Sequence, residues 1–379
     1  MDARRADATD NTMSAASVGS VFQFRDVHGN VAFTLPTAVP SGVNGLRPPA
    51  PEFVGRGPVL EELLALVDPV SASGVVARVS AVAGLGGVGK TELAVQAAHT
   101  GLARGWFPGG VLAINLHGYE PDQRLDAGTA LGRLLRRLGV PGEHVPNEVE
   151  ERAELYRAVL HAYRAEGRAV LVVLDNASPD TPVAELLPGV GSVIVTSRHT
   201  PPRLGGRLLD LDVLQPAEGM EMLARLLELK AGRPDPRLIA QEADAERVVG
   251  LCGGLPLAIE VVAALLAAHP RKPLAATVAR LEADPAVLGE VDAVLRLSYE
   301  CLAPAQQRVL RLMTVNPGPQ VPTPAIAALT GLPEEQVLTT VEALAEAHLI
   351  AEGERRPARG GSSPTGSKPW RGWTSNYPT

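Results

Sequence analysis

The sequence predicts an α/β fold: a parallel sheet with helices on both faces, followed by smaller, mostly helical modules. Three observations carry this. Short apolar runs recur between residues 75 and 196, and stretches of helical periodicity separate them. The runs are apolar on both faces, as strands covered by two helical layers must be. After about residue 205 the strand signals stop, while helical periodicity continues to residue 347.

Residues 1–50 are rich in Ser, Ala, Gly, Pro and Asn. Within them, residues 21–27 and 31–35 flank His28-Gly29-Asn30, the pattern of a hairpin with a glycine turn. Two strands alone are marginal in water, so this segment reads as a largely disordered leader. Phe53-Val-Gly-Arg56 then leads into a helix with leucines at helical spacing over 59–67. Strands are predicted at 75–83, 110–116, 169–174 and 191–196, and helices between them at 90–100, 125–138 and 148–166. Together these make a domain over 51–204. Helices at 216–229, 236–252, 256–268 and 273–283 make a helical domain over 205–284. A compact set at 290–301, 304–314, 323–330 and 335–347 ends in the strand-like Leu349-Ile350, which fits a winged-helix-like domain over 285–352. Residues 353–379 are rich in Gly, Ser, Pro and Arg and hold Trp370 and Trp373 without apolar periodicity. They read as a disordered tail.

Composition narrows the function. Apolar residues make up 45% and aromatic residues 3%, so the cores must be aliphatic. The net charge of −7 speaks against a nucleic-acid or anionic-membrane partner. Cys252 and Cys301 lie in apolar helical patterns and read as small buried hydrophobes, and the histidines show no metal-ligand spacing. No apolar segment follows the N-terminus as in a secretory signal. The longest apolar stretch, 255–268, carries Glu260 and falls short of the about 20 residues that span a bilayer. A cytoplasmic protein with no membrane partner is expected.

The most specific motif is Gly84-Leu-Gly-Gly-Val-Gly-Lys90-Thr91, a phosphate-binding P-loop between a predicted strand and a predicted helix. Only four lysines occur, at 90, 230, 272 and 368, so lysine in this loop is not background abundance. Glycines at 84, 86, 87 and 89 let backbone N–H groups form a cradle for a triphosphate. The following helix adds its N-terminal dipole. Lys90 brings a point charge to the β- and γ-phosphates, and Thr91 a hydroxyl to Mg2+. Val88 and Glu92 complete the candidate contacts. The strand at 170–174 ends in Asp175, as a Walker B segment should, and gives the second Mg2+ group. Asn176 follows where many ATPases carry a second acid. Asparagine accepts no proton at neutral pH, so slow or switch-type turnover is expected. Arg198 follows the next strand, where it faces the ligand crevice of an open α/β sheet.

These segments resemble the NB-ARC group of STAND signalling ATPases, in the form found in actinobacterial regulators. The likeness runs through Phe53-Val-Gly-Arg56, the P-loop and Asn115-Leu-His-Gly-Tyr119. It continues in Leu174-Asp-Asn-Ala177, Val195-Thr-Ser-Arg198, Cys252-Gly-Gly-Leu-Pro-Leu-Ala258 and Leu297-Ser-Tyr299, covering about residues 51–352. The resemblance implies that ADP or ATP binds with Mg2+. Val54 and Arg56 would lie near the adenine and ribose. Pro256 and Leu257 would pack on the nucleotide from the helical domain, and Arg198 would be the γ-phosphate sensor. ADP would hold the domains closed, and exchange for ATP would open them and permit self-association. Output would pass to another protein, because the leader is too short for an effector enzyme.

Two features depart from that pattern. Such proteins carry a His-Asp motif after the winged helix, whose histidine touches the ADP phosphates; after His348-Leu-Ile350 this sequence has none. They also carry a C-terminal repeat sensor, and the abrupt composition of 353–379 reads instead as truncation or a shifted frame. An alternative reading is a winged-helix DNA-binding regulator. Residues 285–352 hold eight acids and three arginines, a net −5, whereas a DNA reader needs a basic face. A small-molecule kinase would need an acceptor site, and no lid-arginine cluster supports one.

Overall fold

Successive side chains of a strand point to opposite faces, so one sheet can feed two cores. The structure, a computed structural model, describes residues 45–69, 77–200, 206–283, 288–313, 320–352 and 369–372. Five strands, β1 (Arg78–Ala83), β2 (Gly110–Asn115), β3 (Val170–Ala177), β4 (Ser192–Ser197) and β5 (Arg207–Asp210), form one parallel sheet. Their order is β2-β3-β4-β1-β5. Leu171 and Val173 of β3 enter the core shared with helices α1 (Gly57–Val67) and α2 (Lys90–Ala103). Val172 and Leu174 enter the opposite core, under α3 (Ala127–Arg137) and α4 (Val149–Ala165). All six residues of β4 are buried. Its place between β1 and β3 sets the carboxyl ends of these three strands side by side, where an open sheet places its ligand crevice.

β5 corrects the expected division at 204/205. Three of its four residues are exposed, so it lacks the apolar run that marks the other strands. It pairs with β1 from Ser80–Arg207 to Ala83–Asp210 and so belongs to the sheet. Part of the first predicted strand, residues 75 and 76, lies outside the described residues.

Helices α5 (Pro216–Ala231), α6 (Arg237–Ala240), α7 (Glu242–Leu251), α8 (Pro256–Ala268) and α9 (Leu274–Ala283) follow. A capping box between Gln215 and Glu218 starts α5. Arg237 is 8% exposed and ties the unit together. It pairs with Asp235 at 2.6 Å, and its remaining N–H groups reach the carbonyls of Leu266, His269 and Lys272. Those carbonyls lie at the C-terminal end of α8 and just beyond it, where the Leu266 and His269 carbonyls also accept from the His269 and Lys272 backbone N–H groups.

Helices α10 (Gly289–Glu300), α11 (Pro304–Met313), α12 (Thr323–Thr330) and α13 (Glu334–Glu346) make the last module. Val309, Ile326, Val337, Val341 and Leu344 form its aliphatic interior. It includes an antiparallel sheet in the order β6 (Val321–Pro322), β8 (Pro369–Gly372), β7 (Ile350–Glu352). β8 corrects the reading of 353–379 as wholly disordered. Trp370 is 4% exposed, and its indole N–H donates to Thr323 Oγ1 at 3.1 Å. A single buried tryptophan anchors this strand, and four residues are too few to show a periodicity. The leader, including the hairpin expected at 21–35, and the rest of the tail lie outside the described residues. Cys252 is buried as expected, while Cys301 is exposed because it caps the end of α10. Among the described residues, no helix is long and apolar enough to cross a membrane.

Candidate functional site

β1 ends at Ala83 and the chain turns through the P-loop into α2. Gly84 (φ +146°) and Gly87 (φ +79°) adopt conformations that side chains disfavour. A Cβ on Gly84 would also lie 2.5 Å from the Leu211 carbonyl. The N-cap of α2, Gly89, offers no side-chain cap. The first-turn N–H groups therefore remain open for an anion, reinforced by the helix dipole. Lys90 is 8% exposed, and its ammonium donates to the Gly84 and Leu85 carbonyls at 2.7 and 2.8 Å. Burial lowers it to about 7, Arg198 adds to the shift, and Asp175 and Asp210 oppose it.

The three strand ends bring the metal-type groups together. Thr91 Oγ1 donates to Asp175 Oδ1 at 2.8 Å, and Thr196 Oγ1 donates to the same oxygen at 2.5 Å. A hydroxyl and a carboxylate at this spacing fit Mg2+, which prefers hard oxygen donors and keeps several waters. Among the described residues no group of three or more His, Cys, Asp or Glu forms a metal cage, so such an ion would depend on phosphate oxygens as well. Asn176 lies in the left-handed region (φ +59°), where the pairing of β3 with β4 shifts register. Asparagine tolerates that conformation better than most residues, so its backbone has a reason for it beyond chemistry.

Arg198 lines the same cleft and is held there on three sides. Its guanidinium donates to the Val294 carbonyl at 2.7 Å and to Ser298 Oγ at 3.0 Å, both on α10. It also lies 4.7 Å from the centre of the Tyr119 ring. The Arg198 backbone N–H donates to the Tyr119 hydroxyl, which is 2.9 Å from His199 Nδ1. Burial, helped by His348 and Arg198, lowers His199 to about 4, so this imidazole is neutral at pH 7.

The cleft has a volume of about 430 Å3. Its lining includes Gly86, Lys90, Thr91, Asn176, Thr196 and Arg198, and also Arg47, Ala50, Glu52, Glu92, Glu260, Pro256 and Leu257. Leu257 N–H donates to the Gly87 carbonyl at 3.3 Å, so α8 begins directly on the P-loop. A separate cavity beside His269 and Leu281 has only about 10 Å3, room for one water.

Most candidates from the sequence therefore meet in one place. Val54 and Arg56 are not among the residues that line the cleft, whereas Arg47, Ala50 and Glu52 are. The Arg56 guanidinium donates to the Asp212 and Val88 carbonyls and clamps the P-loop to the segment after β5. Val88 is fully buried, so only its backbone is available to a ligand. Glu92 lines the cleft, but its carboxylate is taken by Arg47, the Ala50 N–H and Gln96.

Sequence reasoning gave no site role to Ser298 or Glu260 and missed the placement of His348. His348, in the left-handed region at φ +54°, lies 3.2 Å from Asp210 and 3.5 Å from Thr200, so a histidine of the last module does reach the P-loop side of the sheet. Burial lowers its pKa, opposed by Asp210. No local spacing announces these contacts, which join residues 96 to 148 positions apart.

Sheet order, glycine loop, buried lysine and strand-end aspartate define a P-loop NTPase. Among known proteins, the chain is similar to the regulatory protein AfsR of Streptomyces coelicolor. The two are 38% identical over 317 residues, which is 79% of this chain and 30% of that protein. The AfsR protein of Streptomyces griseus is 37% identical over 310 residues, again 79% and 30%. The chain thus spans about 30% of the length of these relatives. A disease resistance RPP8-like protein of Arabidopsis thaliana is 26% identical over 260 residues, 66% of this chain and 26% of that one. Among solved structures, the Aeropyrum pernix ORC2 protein in its ADPNP–ADP complexes shares the fold. Its TM-score is 0.51 at 16% identity, covering 89% of this chain and 94% of that one. No known protein-family profile matches the chain.

Proposed function

We propose that the chain is an ADP/ATP-binding switch of the NB-ARC type, part of a regulatory protein, with slow turnover. The observation that carries this reading is the double commitment of Arg198. It faces the phosphate end of the cleft, yet its guanidinium is held by Val294 and Ser298 of α10. A γ-phosphate at the P-loop would compete for that cation. A nucleotide moves a two-state equilibrium only through differential contacts, and ADP and ATP differ here by one anion beside one latched arginine. Release of Arg198 would loosen α10 and the module behind it. Thr91 and Asp175 would hold Mg2+, which would neutralise phosphate charge, and Asn176 offers no proton acceptor to speed hydrolysis.

Similarity to AfsR supports a regulatory setting, with a protein partner and self-association in the ATP state as the expected output. The order α11-β6-α12-α13-β7 supports reading the last module as winged-helix-like. Its helix α13 exposes Glu334, Glu335, Glu342 and Glu346 and carries no basic residue, which favours a packing role over duplex DNA.

The test is the ratio of affinities for ADP and a non-hydrolysable ATP analogue. Ser298→Ala removes one bond of the latch, and a hydrogen bond to a charged group is worth about 1.5–3 kcal/mol. The expected result is a shift of about tenfold in favour of the ATP analogue. An unchanged ratio would sink the latch. Salt-sensitive binding of duplex DNA would favour the regulator reading instead.

A further inference from the structure

Three carboxylates, Glu52, Glu92 and Glu260, are part of the cleft lining, and phosphates would avoid them. Of these, Glu92 is fully engaged, as described above. Glu52 and Glu260 have no hydrogen-bond or ion-pair partner among the described residues, and Glu260, an exposed residue of α8, lines the cleft. Partial desolvation raises the pKa of Glu260, and Glu52 and Glu92 raise it further, while Arg47 and Lys230 oppose. An unpartnered carboxylate in such a place is stabilised by whatever brings it hydrogen-bond donors.

Its position says which part of a nucleotide that is. Leu257 touches the P-loop at Gly87, and Glu260 lies on the same face of α8, one turn further along. That is about 4.5 Å along the helix axis. Next to the phosphates of a nucleotide comes its sugar. A ribose presents two neighbouring hydroxyls, both donors, and a carboxylate presents two acceptor oxygens. Dinucleotide-binding folds solve the same problem with an acidic residue on the ribose. We propose that Glu260 binds the ribose diol, so that the cleft selects ribonucleotides over their deoxy counterparts. This assignment rests on the nucleotide-binding reading above. It adds to that reading a determinant of sugar specificity.

The test compares ADP, 2′,3′-dideoxy-ADP and GDP by calorimetry on the full chain, with pyrophosphate as a control for the phosphate end. The unaltered chain is expected to bind ADP about 10- to 100-fold more tightly than the dideoxy analogue, the range for hydrogen bonds to a charged group. Glu260→Ala should bring that ratio close to one while pyrophosphate binding persists. Glu260→Gln, which keeps one acceptor oxygen and the shape, should fall between. A ratio near one in the unaltered chain, or a ratio that survives Glu260→Ala, overturns the assignment. So does a change in ADP-against-GDP preference with the diol ratio intact, because the carboxylate would then read the base. Failure of the unaltered chain to bind any nucleotide overturns the nucleotide-binding reading, and this assignment with it.

Discussion

Replacing Lys90 with alanine is expected to weaken nucleotide binding at least about 100-fold while the chain stays folded. The loss is large because the ammonium is buried beside the P-loop, where no water can replace its charge. Truncating one partner of a desolvated charge pair costs about 2–5 kcal/mol, and about 2.7 kcal/mol is 100-fold. The fold survives because a buried cation is itself a burden on the empty protein. Calorimetric titration with ADP, alongside a thermal melt, checks both halves; tight binding by the variant would remove Lys90 from the site.

The same residue makes two pH effects of opposite sign. In the unfolded chain a lysine keeps its proton to about 10.5, but in this fold Lys90 keeps it only to about 7. Between those values the unfolded chain binds more protons, so Lys90 makes the ligand-free protein more stable as pH rises from 7 towards 10. A bound polyphosphate favours the protonated amine. Affinity should therefore fall above pH 7, by up to about tenfold per pH unit. Lys90→Ala should flatten this contribution in both curves.

The second large effect belongs to Arg237. Arg237→Ala leaves the largely buried Asp235 without its cation, takes one donor each from the Leu266 and His269 carbonyls, and removes the donor of the Lys272 carbonyl. Breaking a buried pair from one side costs about 3–5 kcal/mol, a large part of the 5–15 kcal/mol that holds a domain. Because a chain of several modules need not unfold in one step, the measurement is local: amide exchange in α8 and α9. Protection there should fall sharply while β3 and β4 stay protected. A variant in which both residues become leucine should recover much of the loss, because it buries no unpaired charge.

What the sequence made legible was what local chemistry controls. The P-loop was readable because its glycines answer to backbone conformation and its lysine is scarce in this chain. Asp175 and Arg198 were readable because each follows a strand with an apolar run whose C-terminal end must face the crevice. The partners of Arg56 were not legible because its side-chain direction depends on carbonyls 32 and 156 positions away. β5 was missed because an edge strand with three exposed residues looks like a loop. Ser298 and His348 could not be found from spacing, since each becomes relevant only when the last module folds back onto the sheet. Asn176 carried two messages, and only the missing acid was visible; its left-handed backbone was not.

The placement of β8 reaches beyond the module it completes. It is the middle strand of its sheet, so both of its edges are spoken for, and β6 and β7 meet only through it. A chain cut at residue 352 would therefore bare two strand edges at once and uncover the slot that Trp370 fills. Exposed edges recruit other strands. Trimming a tail that looks dispensable in composition should thus turn a well-behaved particle into a sticky one, seen as early-eluting material in gel filtration.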